Sequence, residues 1–268
     1  PSAGELSVRV VAGLFALFLG LPVVVLVVRS IAGGSLATAL TTPAVLDALS
    51  LSLITTSVSL VITIAFGLPL AFVLARRAFR GSGFLEAVVD LPIVLPPAVA
   101  GLGLLLVFGR RGVLGEPLWN VFGVSIPFTT FAVVLAQVFV SAPFFIRSAR
   151  TGLTSVPREL EDAARVDGAS ELYLFRRVTL PIARAALAAG LVMTWARSLG
   201  EFGATIMFAG NVQGRTQTLP LVVYSEFNSG DLEASIAAAA ILVLAAFGVL
   251  IAVRVLHWGR VLDDRSLG

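Results

Sequence analysis

The sequence has no cysteine, no lysine and a single histidine, His257. Without cysteine there is no disulfide, no thiolate metal site and no thiol nucleophile. One histidine builds no histidine-rich metal site; beside Trp258 it reads as a helix-end or interfacial residue and not as the base of a Ser/His/Asp triad. All 19 basic residues are arginine. That removes the nucleotide-binding P-loop, whose G-x-x-x-x-G-K-[ST] pattern needs a lysine to reach the phosphates. If ATP drives this protein, another chain binds it. Charge is scarce too: 13% of residues are charged and 57% hydrophobic, against about 25% and 45–50% in an ordinary soluble domain. With a mean hydropathy of +0.98, the excess is surface that must face lipid, and the chain reads as a polytopic membrane protein. An isoelectric point near 10.5 suits nucleic acid in principle. The arginines stand beside apolar runs, however, which fits membrane topology and not a phosphate-binding face.

A bilayer core takes about 20 apolar residues in a helix. Six runs meet that length: Val8–Val28, Leu49–Leu74, Val88–Val107, Phe128–Ile146, Ala183–Phe208 and Ser235–Val255. The first resembles a signal peptide in length, but no small-residue cleavage site follows it and further spans do. The expected fold is an all-α membrane protein of six transmembrane helices, forming one domain over residues 1–268. With the N-terminus inside, fourteen arginines fall on inner segments, and only Arg29, Arg110, Arg111 and Arg215 fall on outer loops. This positive-inside bias places both termini in the cytoplasm. Gly33-Gly34 and Gly115-Glu116-Pro117 in the outer loops read as turn chemistry. The third run opens Asp90-Leu91-Pro92 and continues to Pro96-Pro97. These prolines read either as a kink near the cytoplasmic end or as an irregular helix lining a path, since broken helix in lipid must be satisfied by protein or a wet cavity.

Between the fourth and fifth runs, at about residues 147–182, lies a charged cytoplasmic island. From Pro157 it reads as a short helix with Glu159, Glu161 and Asp162 at the positive N-terminal end. Ala163-Ala164 leaves a small flat patch, Gly168 suits a left-handed C-cap, and Ser170 suits the cap of a second helix that Pro181 ends at the start of the fifth span. Such a helix-turn-helix either rests on lipid as an amphipathic element or fits a groove on another protein.

The order Asp162-Ala163-Ala164, three residues, Gly168, nine residues, Val178, one residue, Leu180-Pro181 resembles the EAA loop of ABC importer permeases. Where that family has glutamate this chain has Asp162, preceded by Glu161. The resemblance implies that Glu161, Asp162, Ala163, Ala164, Gly168, Ala169, Leu180 and Pro181 couple the chain to a cytoplasmic ATPase, in whose cleft the loop docks.

In the fifth run, Arg197 and Glu201 are four residues apart, on one helical face and within pairing distance. Arg197 sits past the membrane midplane, toward the outside. Charges at that depth are costly and face the bundle interior. The pair reads either as a structural ion pair or as part of a translocation path or gate with Ser198, Phe202 and Gly203. A catalytic pair lacks any accompanying nucleophile or metal cluster. The surrounding Ala196–Ala204 segment, the run Gly214-Arg215-Thr216-Gln217-Thr218-Leu219-Pro220-Leu221, and Asp90–Pro97 with Ala100-Gly101 resemble the molybdate/tungstate branch of these permeases. The Gly-Glu-Phe-Gly core is shared with sulfate/thiosulfate permeases. The likeness runs from about Leu46 to Val255.

The resemblance implies a type I ABC importer subunit without its own nucleotide site or cofactor, in the plasma membrane of a prokaryote. It further implies a homodimer of this chain, an ATPase dimer binding ATP and magnesium, and an extracytoplasmic binding protein, with no nucleic acid. A sulfate/thiosulfate permease and an ion-coupled secondary transporter remain the alternatives.

Overall fold

Backbone in lipid must satisfy its own hydrogen bonds, which leaves a chain of apolar runs the helix. In the computed structural model, which describes residues 3–77 and 79–266, with side-chain surroundings from 4 to 251, every regular element described is helical. In order these are α1 (Ala3–Ala32), α2 (Ser35–Ala39), α3 (Pro43–Arg76), α4 (Ser82–Val94), α5 (Pro97–Phe108), α6 (Gly115–Phe122) and α7 (Thr130–Thr154). There follow α8 (Arg158–Val166), α9 (Glu171–Leu174), a π-helical turn (Phe175–Thr179), α10 (Leu180–Leu199), α11 (Gly203–Phe208), α12 (Leu219–Ser229) and α13 (Leu232–Ser266). The side chains of His257, Trp258, Arg254, Arg260 and Arg265 lie outside the described surroundings.

Among the described residues, five stretches are long and apolar enough to cross a membrane: Gly4–Ala32, Pro43–Arg76, Thr130–Thr154, Glu171–Leu199 and Leu232–Ile251. The third expected span, Val88–Val107, is not one rod. It is α4 and α5, bent by 117° at Leu95-Pro96. Leu95 turns to extended backbone (ψ 133°) because proline disfavours helix at the residue before it.

Three further boundaries differ from the sequence reading. The fifth span was expected to run through Phe208, but α10 stops at Leu199 and α11 starts again at Gly203. Pro181 was expected to end the surface helix; instead helix is continuous from Glu171 to Leu199. The proline ring would clash with the carbonyl four residues back, at Arg177, and the π-helical turn over Phe175–Thr179 widens the backbone there. The outer glycines do more than turn the chain. Gly115 opens α6, with Pro117 in its first turn, and Gly34 (φ 72°) caps α2.

The chain forms two compact units. Pro1–Leu49 with Thr218–Gly268 packs α2, the start of α3, α12 and α13 around Val45, Leu219, Val222 and Ile241. In this unit the span of α1 buries none of its apolar window, so its surface is left for lipid or partner protein. Ser50–Gln217 is the second unit, with two cores. One gathers Leu74, Phe145, Ile146, Leu153 and Leu187 from α3, α7 and α10; the other gathers Leu104, Val133, Val140 and Phe208 from α5, α7 and α11.

Close packing of α7 on α10 depends on small residues. A Cβ on Gly152 would stand 2.6 Å from Ala186 Cβ, and one on Gly190 would stand 2.8 Å from Ser148 Cβ. The Ser148 hydroxyl donates to the Ala186 carbonyl at 2.6 Å across this seam. Small-residue contacts with interhelical hydroxyl bonds replace the hydrophobic effect, which lipid does not supply between helices. Arg147 pairs with Asp90 and Arg150 with Glu86, each at 2.8 Å, fixing α4 to α7.

Candidate functional site

The charged helix-turn-helix forms as its caps dictate. Asp167 closes α8, Gly168 takes φ +82°, and the Ser170 hydroxyl accepts from Tyr173 N–H at 3.3 Å to start α9. Arg165 crosses the turn, donating to Asp162 and Glu171 at 2.8 Å each. These bonds, Glu171's foremost, hold the Arg165 guanidinium above its ordinary pKa. All three groups are well exposed, so the cluster shapes the turn while adding little stability.

Glu161 and Asp162, neighbours in sequence, face opposite ways. Asp162 is exposed, whereas Glu161 is 4% exposed. Glu161 Oε1 accepts from Arg76 Nη2 at 2.6 Å and from the Thr179 hydroxyl at 2.8 Å. Arg76 Nη1 also reaches the Val156 carbonyl at 3.4 Å. One carboxylate thus ties together the C-terminal end of α3, helix α8 and the π-helical turn leading into α10. The charge pattern alone marked Arg76 only as a topology signal and did not mark Thr179 at all.

Among its exposed charges the loop also leaves small and apolar residues outward. Ala163 and Gly168 are exposed, and Ala164 and Ala169 are half-buried. Val166 is 87% exposed, with Leu172 and Tyr173 near 60% beside it. Leu180 and Pro181 stand at the start of α10, directly after the π-helical turn, Pro181 exposed and Leu180 half-buried.

The second group of expected residues lies where two broken helices meet. Arg197, in the last turn of α10, pairs with Glu201 at 2.8 Å although the helix ends between them. Glu201 is 1% exposed. Its other oxygen accepts from Ala204 N–H at 2.8 Å and so caps α11. Gly203 begins α11 directly against the first turn of α5: a Cβ there would stand 2.8 Å from Pro97 Cβ. On Gly101 a Cβ would stand 2.6 Å from the Ala204 carbonyl oxygen. The break after Leu95 and the break after Leu199 therefore adjoin, each filling the space the other leaves. Phe202, half-buried, is the N-cap residue of α11.

Ser198 faces inward from the same turn. Its hydroxyl donates to Ser141 Oγ at 2.8 Å and accepts from Ser59 Oγ at 3.3 Å, and all three residues are fully buried. Ser141 Oγ donates onward to the Gln137 carbonyl at 2.7 Å, and Gln137 Nε2 reaches Thr56 Oγ1 at 3.4 Å. Sequence reasoning named Ser198 and missed Ser59, Ser141 and Gln137. A signal was present: Ser52, Thr56, Ser59 and Thr63 recur every three or four residues, a polar stripe at helical period along an apolar span.

Comparison with known proteins places this architecture. Residues 64–259 match the family of binding-protein-dependent transport system inner membrane components. The chain is 40% identical over 247 residues to a probable molybdenum ABC transporter permease protein of Haloferax volcanii, covering 91% of this chain and 87% of that one. It is 42% identical over 214 residues to the molybdenum transport system permease protein ModB of Mycobacterium tuberculosis, covering 80% of each. Among solved structures, a bacterial alginate ABC transporter in complex with an alginate pentasaccharide-bound periplasmic protein superposes with a TM-score of 0.72. It is 16% identical and covers 93% of this chain and 92% of its own. The MetNI methionine ABC transporter, in inward-facing conformations, gives a TM-score of 0.61 at 20% identity over 79% and 94%. The fold is that of these transporters' membrane helices, and the chain belongs to the family of binding-protein-dependent transport system inner membrane components, a multi-pass permease subunit of an ABC transporter.

Proposed function

We propose that the chain is the translocating subunit of an ATP-driven importer for a tetrahedral oxyanion, molybdate or tungstate. It sits in a prokaryotic plasma membrane as a single transmembrane domain and works as a homodimer. Two cytoplasmic ATPase subunits bind ATP and magnesium below it, and an extracytoplasmic protein delivers the anion. The observation that carries this reading is the tie from the exposed loop to the spans: Glu161 joins α8 to Arg76 of α3 and to Thr179, at the root of α10.

In this reading Ala163, Ala164, Gly168 and Ala169, with Asp162 and the exposed Val166, form the face an ATPase groove grips. When the ATPase pair closes, each loop moves, and Glu161 passes that motion to α3 and α10. At the other end of α10, Arg197, Ser198, Glu201, Phe202 and Gly203 form the gate. Arg197 is the cation available to a passing anion when it leaves Glu201, whose other oxygen stays on Ala204 N–H. Relatives at about 40% identity named for molybdenum transport support the substrate.

The test is uptake into proteoliposomes holding the chain with its ATPase and binding protein. ATP-dependent uptake blocked by molybdate or tungstate, and not by sulfate, supports the reading. Competition by sulfate replaces it with a sulfate permease, and uptake driven by an ion gradient without ATP replaces it with a secondary transporter.

A further inference from the structure

One part of the second unit takes no role in coupling or gating, although it carries the Gly214-Arg215-Thr216-Gln217 run. Residues 209–217 form a built loop. Gly210 and Gly214 take φ of +73° and +70°, and the N–H groups of Arg215, Thr216 and Gln217 converge on the Val212 carbonyl at 2.8–3.1 Å. The buried Thr216 hydroxyl accepts from Val212 N–H at 3.0 Å, and the Thr130 hydroxyl of α7 donates to the Arg215 carbonyl at 2.9 Å. The backbone of Arg215 is thus fixed while its side chain is exposed.

Arg215 shares a cleft of about 520 Å³ with Arg110, Leu105, Ser125, Pro127 and Phe128. The Arg110 guanidinium lies 4.4 Å over the Trp119 ring. Neither arginine has a carboxylate among the described residues. Phe128 is the one non-glycine described residue at positive φ, +61°, with its ring against Gly210. Bulky residues held there are strained, and such strain gathers at binding sites. Arginine distribution along the chain puts this cleft on the outer side.

We propose that this cleft is the docking point for the substrate-delivering protein, which inserts an aspartate or glutamate side chain between Arg110 and Arg215. The inference rests on the importer reading. Charge complementarity selects an acidic group. The size of the cleft and its walls of Leu105, Pro127 and Phe128 select one carried on a protein loop over a free oxyanion, which would leave the apolar walls wet. Unpaired arginine framed by aromatic surface is also the composition of interface hot spots.

The experiment titrates the permease–ATPase complex in nanodiscs with the oxyanion-loaded binding protein. Arg215→Glu and Arg110→Glu each weaken docking by about tenfold or more, as loss of a desolvated charge partner does. Arg111→Glu, adjacent in sequence but outside the cleft, changes it by less than about twofold, as a rim charge does. Unchanged thermal stability of Arg215→Glu, whose side chain holds nothing in the fold, separates docking from misfolding. Docking unaffected by Arg215→Glu, or equally weakened by Arg111→Glu, overturns the inference. Loss of radiolabelled molybdate binding in Arg215→Glu with docking intact also overturns it, in favour of a free-anion site. A wild-type complex that docks no binding protein removes the importer reading itself.

Discussion

Arg76 and Glu161 stand 85 residues apart in sequence and 2.6 Å apart in space, both nearly buried. A pair removed from water this far stays favourable only while both members remain. Glu161→Ala leaves the guanidinium uncompensated and is expected to cost about 3–5 kcal/mol. The loss falls on the attachment of α8 and the π-helical turn. Hydrogen exchange across residues 158–179 should therefore accelerate before that of α7. Arg76→Met with Glu161→Leu should recover most of the loss, since an apolar replacement of a buried pair is often neutral. Protection unchanged in Glu161→Ala would show that the tie carries no load.

Thr179 makes the second bond to the same carboxylate oxygen. Thr179→Val keeps the shape and removes one hydroxyl donor, with an expected cost of about 1 kcal/mol. A double-mutant cycle with Glu161→Ala should show strong coupling, because the hydroxyl has lost its acceptor in that background. Strictly additive effects would contradict the shared site.

Gly101 and Gly103 make a controlled pair on α5. A Cβ on Gly101 meets the Ala204 carbonyl oxygen at 2.6 Å, whereas one on Gly103 meets nothing within 4 Å. Gly101→Ala forces α5 and α11 apart and should destabilise by about 1–3 kcal/mol. Gly103→Ala should be neutral or slightly stabilising through helix propensity. Thermal unfolding in nanodiscs distinguishes them, and equal behaviour would mean that the two broken helices do not pack as described.

Arg197→Met strands a carboxylate that is 1% exposed, and should cost about 3–5 kcal/mol. Glu201→Gln is milder, because the amide oxygen still accepts from Ala204 N–H and α11 keeps its cap. Glu201→Gln is therefore expected to fold and assemble while changing uptake, which thermal stability and transport rate together report. An unaltered transport rate would leave the pair a packing device only.

Apolar length and arginine placement made most of the spans legible, because both are local properties of the sequence. The caps of the surface loop were legible for the same reason: Gly168 and Ser170 do what their residue types favour next to any short helix. Pairing of Arg197 with Glu201 was reached through helical spacing, although the helix ends at Leu199, because a turn of three residues keeps the two groups close. Three features were not legible. The continuation through Pro181 depends on a π-helical turn that widens the backbone over the preceding Phe175–Thr179. The bend after Leu95 and the gap after Leu199 depend on each other across space. The opposite orientations of Glu161 and Asp162 depend on Arg76, and nothing local announces that partner.

The most direct measurement of the account is molybdate imported per ATP hydrolysed by reconstituted Gly168→Arg complexes. Gly168 adopts φ +82° and has open space around it, so arginine there strains only the turn and blocks its exposed face. Gly168→Ala, which carries the strain without the bulk, serves as the comparison. The account predicts spans of normal stability, uptake abolished, and ATP hydrolysis either detached from the permease or no longer linked to transport. Normal ATPase binding and normal uptake in Gly168→Arg would contradict the claim that this loop drives the spans.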